Sequence, residues 1–264
     1  MDLPRSVHIN DVLLRDGLQL ENKRLSVEEK EELVNLLIKA NVKKIEFGSF
    51  VHPKFVPQMA NSGELFERIK DKGIQFVALI PNLKGAENAA KVGVPELNFV
   101  FSASNTHNLH NVRQTTEESL ESFKVIKAFC DQHQIKLDVS IATAFGCPFE
   151  GEVPVERVHR IIEDVLSEGV HMMTLADTTG MANPKQVYDM IQSLKDKVSL
   201  ERLNLHFHNT RGMGLANVLA GIQAGAIHFD AALGGVGGCP FAPGATGNVS
   251  TEDVVHMLHC MGVD

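Results

Sequence analysis

The stretch LNLHFH, residues 203–208, decides what fold and chemistry to expect of this chain. Residues 203–207 predict a short buried strand, and a polar turn, NTRG, follows at 209–212. Residues two apart on a strand point to the same face, so His206 and His208 leave the C-terminal end of this strand together. Two imidazoles on one face form half of a metal site. Taken alone, an H-x-H pair is weak evidence and is more typical of histidines that only hydrogen-bond at a strand end.

Comparable strands recur along the chain, each followed by a helical pattern. The predicted strands are residues 7–14, 44–47, 75–80, 96–101, 136–143, 172–175, 203–207 and 227–231. Strands that alternate with helices through short connections predict a parallel sheet, and eight such units in about 250 residues predict a (β/α)8 TIM barrel. A doubly wound open sheet is the alternative, but the first strand is not followed by G-x-G-x-x-G. We expect one catalytic domain over residues 1–264.

Local signals place the helices between these strands. Ser26 with Glu29 predicts a capping box, and Thr115 predicts the start of a long helix that ends near residue 133. Asn183 followed by Pro184 predicts another helix start. The first helix is expected to bury a stripe formed by four apolar side chains, Leu33, Leu36, Leu37 and Ala40.

Composition excludes several classes of protein. The 264 residues are 44% hydrophobic and carry a formal net charge of −8 without a basic run, which argues against nucleic acid as a partner. The four cysteines show no C-x-x-C spacing, which is typical of reduced thiols in the cytosol. No apolar signal core and no run of about 18 apolar residues is present. We therefore expect a soluble cytoplasmic protein with no membrane partner.

Polar residues follow several predicted strands, whose C-terminal ends share one mouth in a barrel. Asp16 is the natural third ligand beside His206 and His208, and Asn248 could add an amide oxygen as the fourth. Two imidazoles with two oxygen ligands suit Mg²⁺ or Mn²⁺, and Zn²⁺ or Co²⁺ are compatible because imidazole also binds them. The alternative for Asp16 is a salt bridge with Arg15 or another cation at the mouth.

Three further charged residues are expected at this mouth. Arg15 carries fixed donors that can hold a carbonyl oxygen as it gains negative charge, and it cannot act as an acid or base at neutral pH. Glu46 and Asp177 are better suited to orient a histidine or Arg15 than to bind metal directly. Simple ion pairing is the alternative for both carboxylates.

The loop GGVGGCP, residues 234–240, is the richest in glycine in the chain. Within the longer segment 234–247 it predicts a mobile lid that carries Cys239 over the mouth. The alternative is that Cys239 is merely a small residue that fills a turn.

Taken together, these motifs resemble the hydroxymethylglutaryl-CoA lyases, within the wider group of metal-dependent barrel lyases and synthases. The resemblance extends in order through nearly the whole chain. It is carried by RDGLQ at 15–19, IE at 45–46, SFV at 49–51, PKFVPQM at 53–59, PNLKG at 81–85, GCPFEG at 146–151, HFH at 206–208, LAN at 215–217, GGVGGCP at 234–240 and ATGN at 245–248.

This resemblance implies a divalent-metal-dependent carbon–carbon lyase that cleaves 3-hydroxy-3-methylglutaryl-CoA, or a related 3-hydroxyacyl-CoA, into acetyl-CoA and a keto acid such as acetoacetate. It implies that four residues bind the cation: Asp16, His206, His208 and Asn248. Arg15 would stabilise the enolate of acetyl-CoA, Cys239 would take part in proton handling, and either His206 or Asp16 would be the base.

The same resemblance implies an acyl-CoA substrate and a homodimer. Residues expected to support the site or to contact coenzyme A are Gln19, Glu46, Asp177, Lys54, Lys84 and Asn111. A related metal-dependent aldolase or Claisen-type synthase acting on 2-keto acids is the alternative, and the Gly-Gly-Cys-Pro loop argues against it.

The sequence departs from the family pattern at four places. Leu14 stands where the family usually has Pro before the Arg, and Leu20 and Asn209 replace the usual Asn and Asp. Ser140 lies where a strand of typical members brings a Tyr into the cavity, and the one Tyr of this chain is Tyr188. These changes leave the expected metal ligands intact but alter the substrate walls, so a different 3-hydroxyacyl-CoA stays open.

Overall fold

The structure is a computed structural model that describes residues 3–238 and 247–264. Parallel strands pair in chain order from the first to the eighth, and the eighth pairs with the first to close a barrel. The strands are β1 His8–Asp11, β2 Lys44–Ser49, β3 Gln75–Ile80, β4 Glu96–Ser102, β5 Lys136–Ala142, β6 Met173–Asp177, β7 Leu203–Phe207 and β8 His228–Ala231. The predicted (β/α)8 fold is confirmed.

Helices surround this barrel. They are α1 Val27–Lys39, α2 Ser62–Ile69, α3 Leu83–Lys91, α4 Asn105–Val112, α5 Thr116–Gln132, α6 Val155–Ser167, α7 Pro184–Leu194, α8 Gly214–Gln223 and α9 Thr251–Cys260. No helix within the described ranges combines the length and apolar character that crossing a membrane requires.

The helix starts that were predicted from local signals are present. Ser26 and Thr115 each form a complete capping box, and Asn183 caps α7 with Pro184 in its first turn. These caps satisfy backbone N–H groups that have no partner inside the helix. The start of a helix is therefore specified by residues adjacent in sequence.

Burial on both faces explains why the strands are so apolar. Phe47, Phe99 and Leu205 are almost completely buried between the barrel and its helices. Parallel strands are covered on one side by the helices and on the other by the barrel interior, so both faces exclude water. The barrel is consequently a packed core, and the buried polar residues on its strands are hydrogen-bonded to one another.

Three local expectations were wrong. The first strand is shorter than predicted, because a π-helical turn, Leu13–Gly17, replaces its C-terminal part. Helix α4 was not predicted at all, and its N-cap is Ser104. Of the predicted stripe on α1, Leu36 (53% exposed) and Ala40 are exposed, whereas Leu37 is buried together with Val27, Lys30 and Val34.

Candidate active site at the carboxyl ends of the strands

The π-helical turn that follows β1 places Arg15 and Asp16 at the mouth. Its wide turn is closed by Gly17 N–H donating to the Val12 carbonyl (3.1 Å) and Leu18 N–H donating to the Leu13 carbonyl (2.9 Å). Segments of π-helix often occur at functional sites, because the extra residue changes where side chains point. Arg15 and Asp16 are buried here, 9% and 5% exposed.

Asp16 meets the two histidines of β7 at this mouth. One potential ligand atom from each of Asp16, His206 and His208 lies within 4.8 Å of the other two. The Nε2 atom of His208 is 3.4 Å from Oδ2 of Asp16, and the two imidazole rings are 5.1 Å apart. The structure therefore brings together the three residues that the sequence placed around a cation.

The chemistry of these donors fits a divalent metal. A carboxylate and two imidazoles can all donate lone pairs to one ion, and each of the three residues is buried. The Nδ1 atom of His208 is buried without a hydrogen-bond partner among the described residues. Buried polar atoms rarely lack a partner, so this site has donor capacity that the protein leaves unused.

Asn248 lies against the same group but presents its nitrogen. Its Nδ2 donates to Oδ2 of Asp16 (2.7 Å) and to the Val236 carbonyl (3.0 Å). The backbone of Asn248 also forms a bridge with that of His208. Its use of the amide oxygen as a fourth ligand stays a prediction, since the amide would have to turn over.

Arg15 is held in place by two carboxylates. Its Nε donates to Oε2 of Glu46, and its Nη1 donates to Oδ1 of Asp16. Burial by itself lowers the pKa of Arg15, but the charges of Glu46 and Asp16 raise it above its ordinary value. Burial would likewise raise the pKa of Asp16, yet Arg15 and His208 hold it well below its usual range. Both groups are therefore charged at neutral pH.

Glu46 supports Arg15, as one of the sequence hypotheses had it. Its Oε1 accepts a hydrogen bond from Asn98 Nδ2 (3.0 Å), and Asn98 Oδ1 accepts one from Ser140 (2.9 Å). Burial raises the pKa of Glu46, and the Arg15 charge opposes that rise. A chain of hydrogen bonds thus runs from β5 through β4 and β2 to the guanidinium.

Asp177 shapes the turn after β6. Its Oδ1 accepts the backbone N–H of Met181 (2.7 Å), while its Oδ2 is buried without a hydrogen-bond partner among the described residues. Burial raises the pKa of this carboxyl. His208 N–H donates to the backbone carbonyl of Asp177 (3.3 Å), but the Asp177 carboxylate has no hydrogen bond to either histidine. Its role in catalysis therefore stays a prediction.

Asp230 is the site residue that the sequence reasoning missed. Its Oδ2 is 3.0 Å from Nδ1 of His206, and its Oδ1 accepts hydrogen bonds from Asn10 and Asn204, both 2.9 Å. Burial lowers the pKa of His206, but Asp230 raises it above its usual value. The available signal was a carboxylate within a short apolar strand, since charged residues are rarely buried without a partner.

The residues predicted to contact coenzyme A come after the first four strands in the chain. Gln19 donates from Nε2 to Oδ1 of Asp16 (3.0 Å). Lys54 and Asn111 are exposed, and the exposed Lys84 forms an ion pair with Glu87 (2.8 Å). Of this set, Gln19 touches the central carboxylate, and the other three are exposed residues in the segments that follow β2, β3 and β4.

Part of the glycine-rich segment closes directly over the site. Gly237 has φ +113°, and a Cβ there would lie 2.5 Å from Asn248 Nδ2 and 3.2 Å from Asp16 Oδ2. Only glycine allows the backbone to approach so closely. Cys239, the predicted lid residue, lies outside the described residues.

Comparison with known proteins identifies the family of this chain. The sequence model of the HMGL-like family matches residues 6–264. The chain belongs to the HMGL-like family. This confirms the resemblance inferred from the motifs, and the relatives below identify the chain as a lyase.

Two relatives of this chain carry names that give different substrates. Hydroxymethylglutaryl-CoA lyase YngG of Bacillus subtilis is 39% identical over 100% of this chain and 88% of its own length. The (R)-citramalyl-CoA lyase of Chloroflexus aurantiacus is 42% identical over 98% of this chain and 85% of its own length.

A solved structure extends the likeness to three dimensions. The HMG-CoA lyase of Acinetobacter baumannii, determined in complex with coenzyme A and 3-methylmalate, superposes with a TM-score of 0.94. It is 47% identical, with 98% of this chain and 85% of that chain covered.

Proposed function

We propose that this lyase cleaves 3-hydroxy-3-methylglutaryl-CoA into acetyl-CoA and acetoacetate, with Mg²⁺ or Mn²⁺ as cofactor. The observation that carries the proposal is the meeting of Arg15 with Asp16, His206 and His208 at one buried mouth in a member of the HMGL-like family. Three metal ligands beside a fixed guanidinium suit a reaction in which a hydroxyl loses its proton while negative charge grows on a carbonyl oxygen.

Asp16, His206 and His208 would hold the cation, and Asn248 would join them through its amide oxygen. When bound, the divalent cation supplies a Lewis acid that lowers the pKa of the substrate's tertiary hydroxyl. Asp16, within the shared network, takes the proton from that hydroxyl. His206, the other predicted base, has no free nitrogen once Nε2 holds the cation and Nδ1 donates to Asp230. The hydroxyl carbon becomes the ketone of acetoacetate as the bond between the carbons α and β to the thioester breaks.

Arg15 stabilises the other product as it forms. The electron pair of the broken bond enters the thioester enolate, and the guanidinium holds the enolate oxygen with donors that Glu46 and Asp16 have already oriented. Cys239 takes part in delivering a proton to the enolate carbon, which gives acetyl-CoA. Lys54, Lys84 and Asn111 contact the phosphates of coenzyme A.

A shorter substrate of the citramalyl-CoA type is the second candidate. The 42% identity to the Chloroflexus lyase favours this substrate. The acyl groups of hydroxymethylglutaryl-CoA and citramalyl-CoA differ by one methylene beside the carboxylate. Ser140 and Asn98 form part of the polar interior beneath the mouth. The 2-keto-acid aldolase or synthase is less well supported, because the relatives above are named as CoA lyases.

The test follows both product pairs directly. Purified protein is incubated with each CoA thioester in the presence of Mg²⁺, Mn²⁺ or EDTA, and acetyl-CoA, acetoacetate and pyruvate are quantified. We expect cleavage of hydroxymethylglutaryl-CoA that EDTA abolishes. Pyruvate formed faster than acetoacetate would assign the shorter substrate instead, and cleavage of a 2-keto acid without any thioester would overturn both.

Assembly and location belong to the same proposal. We expect a homodimer in the cytoplasm, as the family resemblance implies. Light scattering coupled to size-exclusion chromatography measures the mass against the 28.9 kDa of one chain. A mass of one chain at micromolar concentration would contradict the dimer.

A further inference from the structure

We propose that Asp230 is a positioning residue that fixes the ring of His206 so that Nε2 is the nitrogen offered to a metal ion. The inference rests on the proposed function in one respect, that His206 is a metal ligand. It concerns a residue of β8 that none of the motifs or comparisons assigns.

Parallel pairing places three polar residues in one row. Asn10 of β1 pairs with Asp230 of β8, and Asp230 pairs with His206 of β7. Side chains at paired positions of adjacent strands point to the same face of a sheet. Asp230 therefore lies beside His206 because of the way the barrel closes, and it is 6% exposed.

The hydrogen bonds around Asp230 define which group donates. Its Oδ1 accepts from the amide nitrogens of both Asn10 and Asn204, and its Oδ2 faces Nδ1 of His206 at 3.0 Å. An ionised carboxylate only accepts hydrogen bonds, so Nδ1 of His206 must carry the proton. In a neutral imidazole with a proton on Nδ1, the free lone pair is on Nε2.

The carboxylate is itself held on two sides. Asn204 Nδ2 also donates to Thr174 Oγ1 (3.1 Å), which connects Asn204 and its partner Asp230 to β6. A support of this kind fixes both the tautomer and the orientation of a metal-binding histidine. His208 differs, because its Nδ1 has no such partner among the described residues.

An amide cannot replace this carboxylate. In Asp230→Asn, one side of the new side chain becomes an NH₂ donor. If this NH₂ group faces Asn10 and Asn204, it meets two other N–H donors instead of acceptors. Turned toward His206, it requires Nδ1 to accept, which moves the proton to Nε2 and blocks that nitrogen as a ligand.

The test measures metal binding without turnover. Metal-free full-length protein is titrated with Mn²⁺ by calorimetry for the unaltered chain, for Asp230→Asn and for Asp138→Asn. Asp138 is the matched control, since it is a barrel carboxylate of similar burial, 5% exposed. It lies on a different strand and is paired with Lys44 rather than with His206 or His208. We expect Asp230→Asn to weaken Mn²⁺ binding by about 10- to 100-fold and Asp138→Asn to leave it within about twofold.

A second measurement needs no substitution in Asp230. Long-range ¹H–¹⁵N spectra of protein labelled in histidine reveal which ring nitrogen of His206 is protonated, with the signal assigned by its loss in His206→Gln. We expect the proton on Nδ1 in the unaltered metal-free protein. A ring with its proton on Nε2 and none on Nδ1, or Mn²⁺ affinity unchanged in Asp230→Asn, would overturn the inference. Failure to cleave any thioester while Mn²⁺ binding responds as expected would overturn the proposed function alone.

Discussion

The two ends of the barrel carry similar residues and put them to different use. At the carboxyl end, Arg15 lies beside Asp16 and Glu46, next to the histidine pair of β7. At the amino end, Lys44 lies between Glu96 and Asp138, next to His171. The potential ligand atoms of Glu96, Asp138 and His171 also lie within 4.8 Å of one another.

The two ends differ in where the basic side chain of each cluster lies. Lys44 Nζ donates to both carboxylates of the amino-end cluster, so its ammonium fills the place that a metal ion would take. Burial also raises the pKa of Asp138 well above its ordinary value, despite the Lys44 charge. Arg15 instead contacts Oδ1 of Asp16 and leaves Oδ2 facing His208. One cluster is closed by its own ion pair, and the other is open to a ligand.

The largest effect is expected from His208→Ala, which removes an imidazole from the open end. Metal affinity and cleavage should be lost together, by more than the roughly 100-fold that loss of a ligand's supporting partner causes. Calorimetry with Mn²⁺ and a product assay measure the two quantities on one preparation. Retained metal binding would remove His208 from the ligand set.

Arg15→Lys tests whether a fixed guanidinium is needed beside the ligands. The change keeps one positive charge but loses the fork that contacts both Glu46 and Asp16. We expect kcat to fall by about 10²- to 10³-fold, as for loss of one donor to a developing oxyanion. Mn²⁺ affinity should change far less than in His208→Ala, and an equal loss of both would contradict the role given to Arg15.

Cys239→Ser tests the predicted lid residue. If Cys239 delivers a proton, turnover should slow by about 10²-fold while Mn²⁺ affinity is retained. Cys147→Ser provides a comparison, because Cys147 is buried in a turn and accepts a hydrogen bond from Ser104 (2.9 Å). An unchanged rate for Cys239→Ser would leave that cysteine with only the role of filling a turn.

Lys44→Met tests the closed end. Removing the ammonium leaves Glu96 and Asp138 buried without their cation, which costs about 3–5 kcal/mol in the free energy of unfolding. Urea denaturation measures this loss, and kcat of the folded fraction should not change. The exposed pair of Lys185 with Asp189 is the control, since Lys185→Met should cost less than about 1 kcal/mol. A similar loss from both variants would contradict the distinction.

The smallest effect concerns His228, also at the amino end. Burial, together with the charges of His8 and Lys44, lowers the pKa of His228 to about 4. Between about pH 4 and pH 6.5, His228 is therefore protonated in the unfolded chain but not in the folded chain. The contribution of the neutral imidazole to the free energy of unfolding is complete above about pH 6.5 and is lost as the pH falls toward 4.

Replacing this imidazole should reduce the sensitivity to acid. Between pH 7 and pH 5 we expect His228→Phe to lose about 1 kcal/mol less stability than the unaltered protein, after allowance for partial exposure. The ring stacked on His8 is kept by this change. Urea denaturation at both pH values gives the difference, and equal losses in the two proteins would contradict it.

Much of the fold was predictable because its signals are local. The strands β3 and β7 have the predicted bounds, and the caps at Ser26, Thr115 and Asn183 are present. Capping and period-two alternation act between residues that are close in sequence, so a single chain displays them. The π-helical turn was missed because it has no such signal, whereas α4 was missed although its N-cap, Ser104, is one.

The candidate site divides in the same way. The pairing of His206 with His208 follows from alternation along one strand, and the motifs identified the family that the comparisons confirm. That Asp230 supports His206 follows only from the register between β7 and β8. Glu46 was expected to orient either a histidine or Arg15, and the closed barrel selects Arg15.

The sequence by itself therefore determined the strands, the helix starts, the family and the two histidines that share a face. The tertiary structure decided that Asp16 meets those histidines across about 190 residues of chain, and that Lys44 closes the opposite end. The physical reason is range. Periodicity and capping are properties of a few neighbouring residues, whereas contacts between strands depend on how the whole barrel closes.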